Sequence, residues 1–258
     1  MATVISRPTR LWWLVGLILL CLFLLVQLPA SWLVQKFVPN NPYLQQISGN
    51  LWQGQANWQI SPPNNPNKSL SGTLDWQWQP LYIFTGKIGM NVKIRSGTTE
   101  LNGLAKIGKN SWQIHDFNGK ITKDLLSSLG SWQLPDSPIM VKNLSLSRDK
   151  TGFVNASGDF DWLGGNMGYP FGGRVYQINL PKMVGVLDKE KTSQSPSRLH
   201  LALATPQGQR LGDLYLDNDN MLDVALTQRL LKNMPNYQGQ GADDSVAVSL
   251  RQPLFGSF

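Results

Sequence analysis

The stretch NLWQGQANWQI, residues 50–60, decides the fold. Trp52, Gly54, Ala56, Trp58 and Ile60 fall at every second position, and Gln53, Gln55, Asn57 and Gln59 fill the positions between them. Period two is the signature of a strand with one apolar and one polar face. Gly54 and Ala56 stand between two tryptophans, where small residues leave room for the rings. The next segment, SPPNNPN (residues 61–67), predicts a loop, because its prolines suit neither strand nor helix.

The same alternation recurs along the chain. Leu74, Trp76 and Trp78 oppose Asp75, Gln77 and Gln79, and Pro80 closes the run. Further stripes are Ile88 to Ile94, Leu101 to Ile107, Trp112 with Ile114, Val154 to Trp162, Leu199 to Leu203, Leu214 with Leu216, and Val246 to Leu250. About ten short strands are predicted, each with one covered and one wet face, which fits antiparallel pairing. Short helices are expected at Lys123–Leu129 and Thr227–Met234, and residues 164–173, GGNMGYPFGG, read as a long hairpin loop. Ser-Gly recurs at 48–49, 71–72, 96–97 and 157–158, too irregularly for a solenoid but in keeping with a sheet grown from similar hairpins.

Upstream, Leu11 to Leu28 carries no charge over 18 residues. As a helix it is about 27 Å long, close to the roughly 30 Å core of a bilayer. Trp12 and Trp13 stand at its start and Trp32 just beyond its end, where interfacial aromatics belong. Arg7 and Arg10 precede it, which predicts a cytoplasmic N-terminus. The run is long for a signal-peptide core, so a retained anchor is expected. The organisation read from this is a cytoplasmic start (1–10), a transmembrane helix (11–30), a stem (31–46) carrying a short helix broken near Pro39 and Pro42, and a β-rich exported domain (47–258). The fold class expected is mainly β: one membrane helix, then a largely antiparallel, one-sided or curved sheet with one or two short helices.

Composition narrows the chemistry. Only 15% of the 258 residues are charged, while Gln and Asn number 19 each. The net charge is +7, yet no basic run interleaved with aromatics occurs, so nucleic acid is not expected as a partner. One cysteine, Cys21, lies in the apolar run, and there are two histidines, His115 and His200. Thiol chemistry, disulfides within the chain and cysteine-based zinc sites are thereby excluded. His115-Asp116 reads as a surface pair at a strand end, and His200 as a solvent-facing residue opposite a leucine stripe. Asp159 and Asp161 share the wet face of one strand, at a spacing that glycosidases use, but read as solvated carboxylates. Asp217-Asn218-Asp219-Asn220 lacks the Gly and Glu of a calcium loop and reads as a tight turn. No catalytic residue, metal or cofactor is expected, and the chain reads as a non-enzyme. Trp52, Trp58, Trp76, Trp78 and Trp162 are expected to cover the sheet.

Ile47-Ser48-Gly49-Asn50-Leu51-Trp52-Gln53-Gly54-Gln55-Ala56 resembles the Gly-Thr-Leu-Trp-x-Gly-x-Ala signature of type II secretion system protein N (general secretory pathway protein N), with Asn50 where that family usually has Thr. The layout of a short basic start, one apolar helix, a Pro-containing stem and a β-rich domain is similar too. The resemblance implies an inner-membrane subunit of the machinery that moves folded proteins from the periplasm across the outer membrane. It implies other inner-membrane subunits, and perhaps the outer-membrane secretin, as partners. It transfers no catalytic residues; Gly49, Leu51, Trp52, Gly54 and Ala56 are expected to be structural, with a tryptophan ring over Gly54 and Ala56. The alternative is a periplasmic lipid-handling protein of the AsmA-like or lipopolysaccharide-bridge kind, carrying acyl chains on its apolar stripes.

Overall fold

The computed structural model describes residues 10–37, 41–61, 69–129, 133–171, 174–190, 197–234 and 237–253. The predicted loop at 61–67, apart from Ser61, and Arg7, expected to flank the membrane span, lie outside the described residues. Helix α1 (Arg10–Val26) is followed by α2 (Ala30–Phe37). Pro29 separates them, because a proline drives the residue before it out of the helical region. Among the described residues no helix is long and apolar enough to cross a membrane; α1 has 17 residues, about 25 Å.

The strands β1 (Leu44–Gly49), β2 (Gln53–Ile60), β3 (Leu70–Gln79), β4 (Ile88–Ser96), β5 (Thr99–Gly108), β6 (Ser111–Ile121), β7 (Ile139–Asp149) and β8 (Gly152–Trp162) follow one another as an antiparallel meander. A separate hairpin, β9 (Gly165–Phe171) with β10 (Arg174–Leu180), then leaves the sheet. The meander resumes with β11 (Met183–Glu190), β12 (Arg198–Ala204), β13 (Arg210–Leu216), β14 (Met221–Thr227) and β15 (Val246–Pro253). The result is one 13-stranded sheet with β1 and β15 as its edges. Two short helices, α3 (Lys123–Leu129) and α4 (Gln228–Leu231), stand close to their predicted places.

Several expectations change. Strands begin at Leu44, inside the segment read as stem. Residues 165–171, read as loop, form β9, whose Gly168 exchanges backbone hydrogen bonds with Gln133 (2.7 and 2.8 Å). β6 runs on past His115-Asp116, so that pair lies mid-strand and not at a strand end. The chain tolerates it there through a bulge: Asp116 takes φ +52° and Asn143 on β7 takes φ +51°. Ser145 Oγ accepts the Asp116 N–H (3.0 Å), and Asn118 Oδ1 accepts that of Asn143 (2.9 Å). Registers slip along this line from β5 to β8, which bends the sheet across its middle.

The predicted stripes join into one apolar face. Cross-strand rows run Trp58–Gly72, Gly54–Trp76–Val92–Gly103, Ile88–Ile107–Trp112, Leu187–Leu201–Leu214–Val224–Leu250. Little covers this face. Among the described residues buried side chains gather in two small clusters, Phe153 with Ala156 and Leu199, and Met183 with Leu211 and Leu230, beside separately buried residues such as Val92, Phe117, Val141 and Ile178. The second cluster lies under α4. Leu211 is an extra residue in β13 that a bulge turns into the cluster, where it is 1% exposed. The chain exposes 17,106 Å², against about 11,300 Å² for a compact protein of this mass. Among the described residues, a sheet covered only in part and an exposed apolar helix contribute to the difference.

Candidate functional site

The signature residues build a corner between α1 and the sheet. Asn50 Oδ1 accepts the backbone N–H groups of Trp52 (3.0 Å) and Gln53 (2.9 Å), and its own N–H donates to Gln53 O (2.9 Å). A Thr hydroxyl at this position makes the same kind of turn more weakly, so Asn is a chemical equivalent of the family's usual residue. Pro29 bridges to Asn50, and Leu51 N–H donates to Leu28 O (3.3 Å), tying the corner to the end of α1. Replacing Asn50 by Ala is expected to lower stability by about 1–2 kcal/mol, read from the denaturation midpoint in detergent; replacing it by Thr should restore most of that.

Gly49 sits at φ +88°, and a Cβ there would lie 2.5 Å from Gln53 O. Gly54 is required for a different reason. A Cβ on it would overlap the Trp76 ring and lie 2.5 Å from Ser48 O. The ring over Gly54 is therefore Trp76 of the neighbouring strand, not Trp52. The exchange is reciprocal, because Trp58 lies over Gly72 of β3. Ala56 between them is 1% exposed. Trp52 stands in the turn before β2 and leans on Trp78, with ring centroids 4.5 Å apart, while its carbonyl accepts the Trp78 N–H (2.7 Å). Leu51 is half-buried. All five tryptophans named above are half-buried and serve as a cover on the sheet more than as a closed core. The Trp162 indole N–H donates to Ser137 O (3.0 Å), whereas the indole N–H groups of Trp52, Trp58 and Trp78 are buried without a partner among the described residues.

The residues expected to flank a membrane span are not among those that make the corner's hydrogen bonds. Arg10 opens α1, and Trp12, Trp13 and Trp32 are exposed, as is Cys21. Ion pairs such as Asp75–Arg95 and Lys93–Glu100 line the polar face. Asp161 is paired with Lys142 (2.6 Å), which lowers its carboxyl below the usual range, the opposite of what a general acid requires. Asp217–Asn220 is a tight turn, with Asn220 at φ +63° and its N–H on Asp217 O (3.1 Å).

Sequence reasoning missed one cluster. His200 is not solvent-facing: its side chain is 19% exposed and clamped between two carboxylates. Nε2 lies 2.7 Å from Asp213 Oδ1 and Nδ1 lies 3.0 Å from Asp188 Oδ1. Its ring stacks on Tyr215 at 4.6 Å, and the Arg198 guanidinium lies over the far partner of that stack at 4.1 Å. Asp213, 8% exposed, also accepts from Arg210 (2.7 Å). Asp188, His200 and Tyr215 stand in one cross-strand row, so the cluster laces β11, β12 and β13 together. With both ring nitrogens engaged, His200 has no nitrogen left for a substrate. The signal that could have found it was the i, i+2 relation of Asp213 and Tyr215 on one strand, but their strand partners are not legible in the order of residues. Among the described residues no group of three or more metal-ligating side chains occurs.

Burial, with the Lys106 ammonium adding, holds the His115 imidazole below its ordinary value. The unfolded chain then binds a proton that the folded chain resists, so stability should fall as pH drops below about 6.5. An NMR titration of His115 Cε1 should show the depressed midpoint, and the fall should shrink in His115→Gln.

The family model of type II secretion system protein N matches residues 40–209, well over half of the chain. Neither a curated protein nor a solved structure shows significant similarity to it. The match takes in the whole signature corner and the sheet from β1 to β12, leaving α1, α2 and β13 to β15 outside. On that evidence the chain belongs to the family of type II secretion system protein N.

Proposed function

We propose that this protein is a non-enzymatic, inner-membrane-anchored subunit of the type II secretion machinery that offers its open β-sheet to neighbouring subunits. The observation that carries the reading is the union of family membership with an apolar face that, among the described residues, only α4 covers, and only at one end. A face of this extent is stable in water only when something else shields it, and edges and apolar faces of sheets are common protein-docking surfaces. The anchor is the uncharged run at 11–28, of which α1 forms the helical part. In this reading the uncharged 18-residue run has a spanning length, and the bases Arg7 and Arg10 before it favour a cytoplasmic N-terminus and a periplasmic sheet. The partners are then other inner-membrane subunits, with the secretin reachable from the periplasmic side.

Deleting the gene in a host that uses the pathway should leave folded cargo in the periplasm, and the wild-type chain should restore export. Normal export without the chain would remove it from the transport step. A second reading, lipid handling, draws on the same uncovered face, because acyl chains would shield it as well as protein would. Lipid extracted from the detergent-purified chain and identified by mass spectrometry separates the two: a stoichiometric acyl lipid favours the second, its absence the first.

A further inference from the structure

At the end of the sheet nearest α1 the apolar face continues onto an exposed turn. After β3 the chain makes a 3₁₀ turn, Pro80–Thr85, in which Leu81, Ile83 and Phe84 point outward at 76%, 53% and 86% exposure. This is not a loose loop. Tyr82 points the other way, its ring against Gly89, so closely that a Cβ there would overlap it. Thr85 Oγ1 donates to Tyr82 O (2.7 Å), Gly86 N–H to Ile83 O (3.0 Å) and Lys87 N–H to Tyr82 O (3.3 Å). The turn is held on β4 while its three large apolar side chains face water.

Those side chains do not stand alone. Ile88, Ile107 and Trp112 form a cross-strand row beside the turn, and all three are exposed. Hydrogen bonds locate the patch relative to α1. Leu28 O accepts from Leu51, Trp52 O accepts from Trp78, and the turn starts two residues after Trp78. So the patch lies within two hydrogen-bonded steps of the point where α1 ends. Lys87, Lys106 and Lys109 flank it, with Lys106 Nζ 4.4 Å from the Tyr82 ring centroid. None of the three forms an ion pair among the described residues.

Large apolar side chains with lysines at their margin, presented rigidly, are the composition of a surface that enters the headgroup layer of a bilayer. We propose that the turn at residues 80–86, with the row Ile88, Ile107 and Trp112, is a second membrane contact that seats this end of the sheet on the bilayer from which α1 emerges, its lysines meeting anionic headgroups. This rests on the reading of α1 as an anchor. The consequence is that the sheet does not swing freely on α2 but stands on the membrane with a fixed end down, so that its faces meet partners at a set height.

The test uses the full chain reconstituted into vesicles of phosphatidylethanolamine and phosphatidylglycerol, with and without lipids bearing a spin-label quencher. A polarity-sensitive fluorophore is attached to Phe84→Cys, and separately to Gln207→Cys at the opposite end of the sheet, both in a Cys21→Ser background. A third sample carries the label on the native Cys21. Near-UV circular dichroism checks that each variant keeps its fold. The proposal expects a blue-shifted emission at position 84 that loses most of its intensity with quencher lipids, little change at 207, and weaker quenching at 84 when phosphatidylglycerol is left out. Quenching at 21 with none at 84 would overturn the second contact and leave the anchor, assigning the patch to a protein partner. No quenching at either position would overturn the anchor and this proposal together. Equal quenching at 84 and 207 would contradict the fixed orientation.

Discussion

Gly54→Val should lower the stability of the protein by about 3–4 kcal/mol and its melting temperature by about 10 °C. The new side chain meets backbone on one side, Ser48 O at 2.5 Å, and the Trp76 ring on the other. The carbonyl cannot retreat without breaking the β1–β2 pairing at Ser48↔Gln55 and Gly49↔Gly54. The ring must then move, and it loses burial over β2 worth about 1.5–3 kcal/mol. Denaturation in detergent, followed by tryptophan emission, reads the effect. The paired variant Gly54→Val with Trp76→Gly reverses the two partners of the row and should recover part of the loss. No recovery would mean that the Ser48 contact alone sets the requirement for Gly.

Leu211→Ala should cost about 3 kcal/mol, the usual range for a buried leucine in a site that cannot collapse. Leu211 is the bulged residue of β13, packed with Met183 and Leu230 and flanked by Trp162, Leu203 and Leu226. Here the sheet has a covering element, α4, so the cavity is closed on both sides. Thr227, fully buried, donates its hydroxyl to Leu211 O (2.9 Å) and links the bulge to the start of α4. Loss of the leucine should therefore raise hydrogen exchange at Gln228–Leu231 before it affects β1 to β6. A uniform rise across the sheet would show that the 13 strands unfold as one unit.

The wet half of each strand and the apolar half were legible because period two survives wherever a strand pairs regularly. Trp76 and Trp78, Met90 to Ile94 and Phe160 with Trp162 all lie on the face their spacing indicates. β7 escaped detection because the bulge at Asn143 breaks its alternation, putting Val141 and Leu144 out of step. β11 is apolar on both faces, with Val184 and Val186 opposite Met183 and Leu187, so its sequence has no period to detect. β9 is rich in Gly and Pro and takes its place through pairing with β10 and Gln133 rather than through propensity. The signature corner was legible as a motif, but not the identity of the ring over Gly54, which depends on a register of eight pairs between β2 and β3. The His200 cluster was hidden for the same reason, since three strands of different sequence must align before the carboxylates meet the ring.

The open face is the feature on which the functional account stands, and in-cell photocrosslinking tests it most directly. A photoreactive amino acid would replace Val248 or Leu250 on the edge strand β15 and Ile60 on the apolar face, all exposed, with Gln207 as a control on the far turn, and captured molecules would be identified by mass spectrometry. The account predicts adducts to other subunits of the secretion machinery from the face and the edge, lost when those subunits are deleted, and none from the control. Adducts only to acyl lipids at Val248, Leu250 and Ile60 alike would contradict it and make the sheet a lipid-carrying surface.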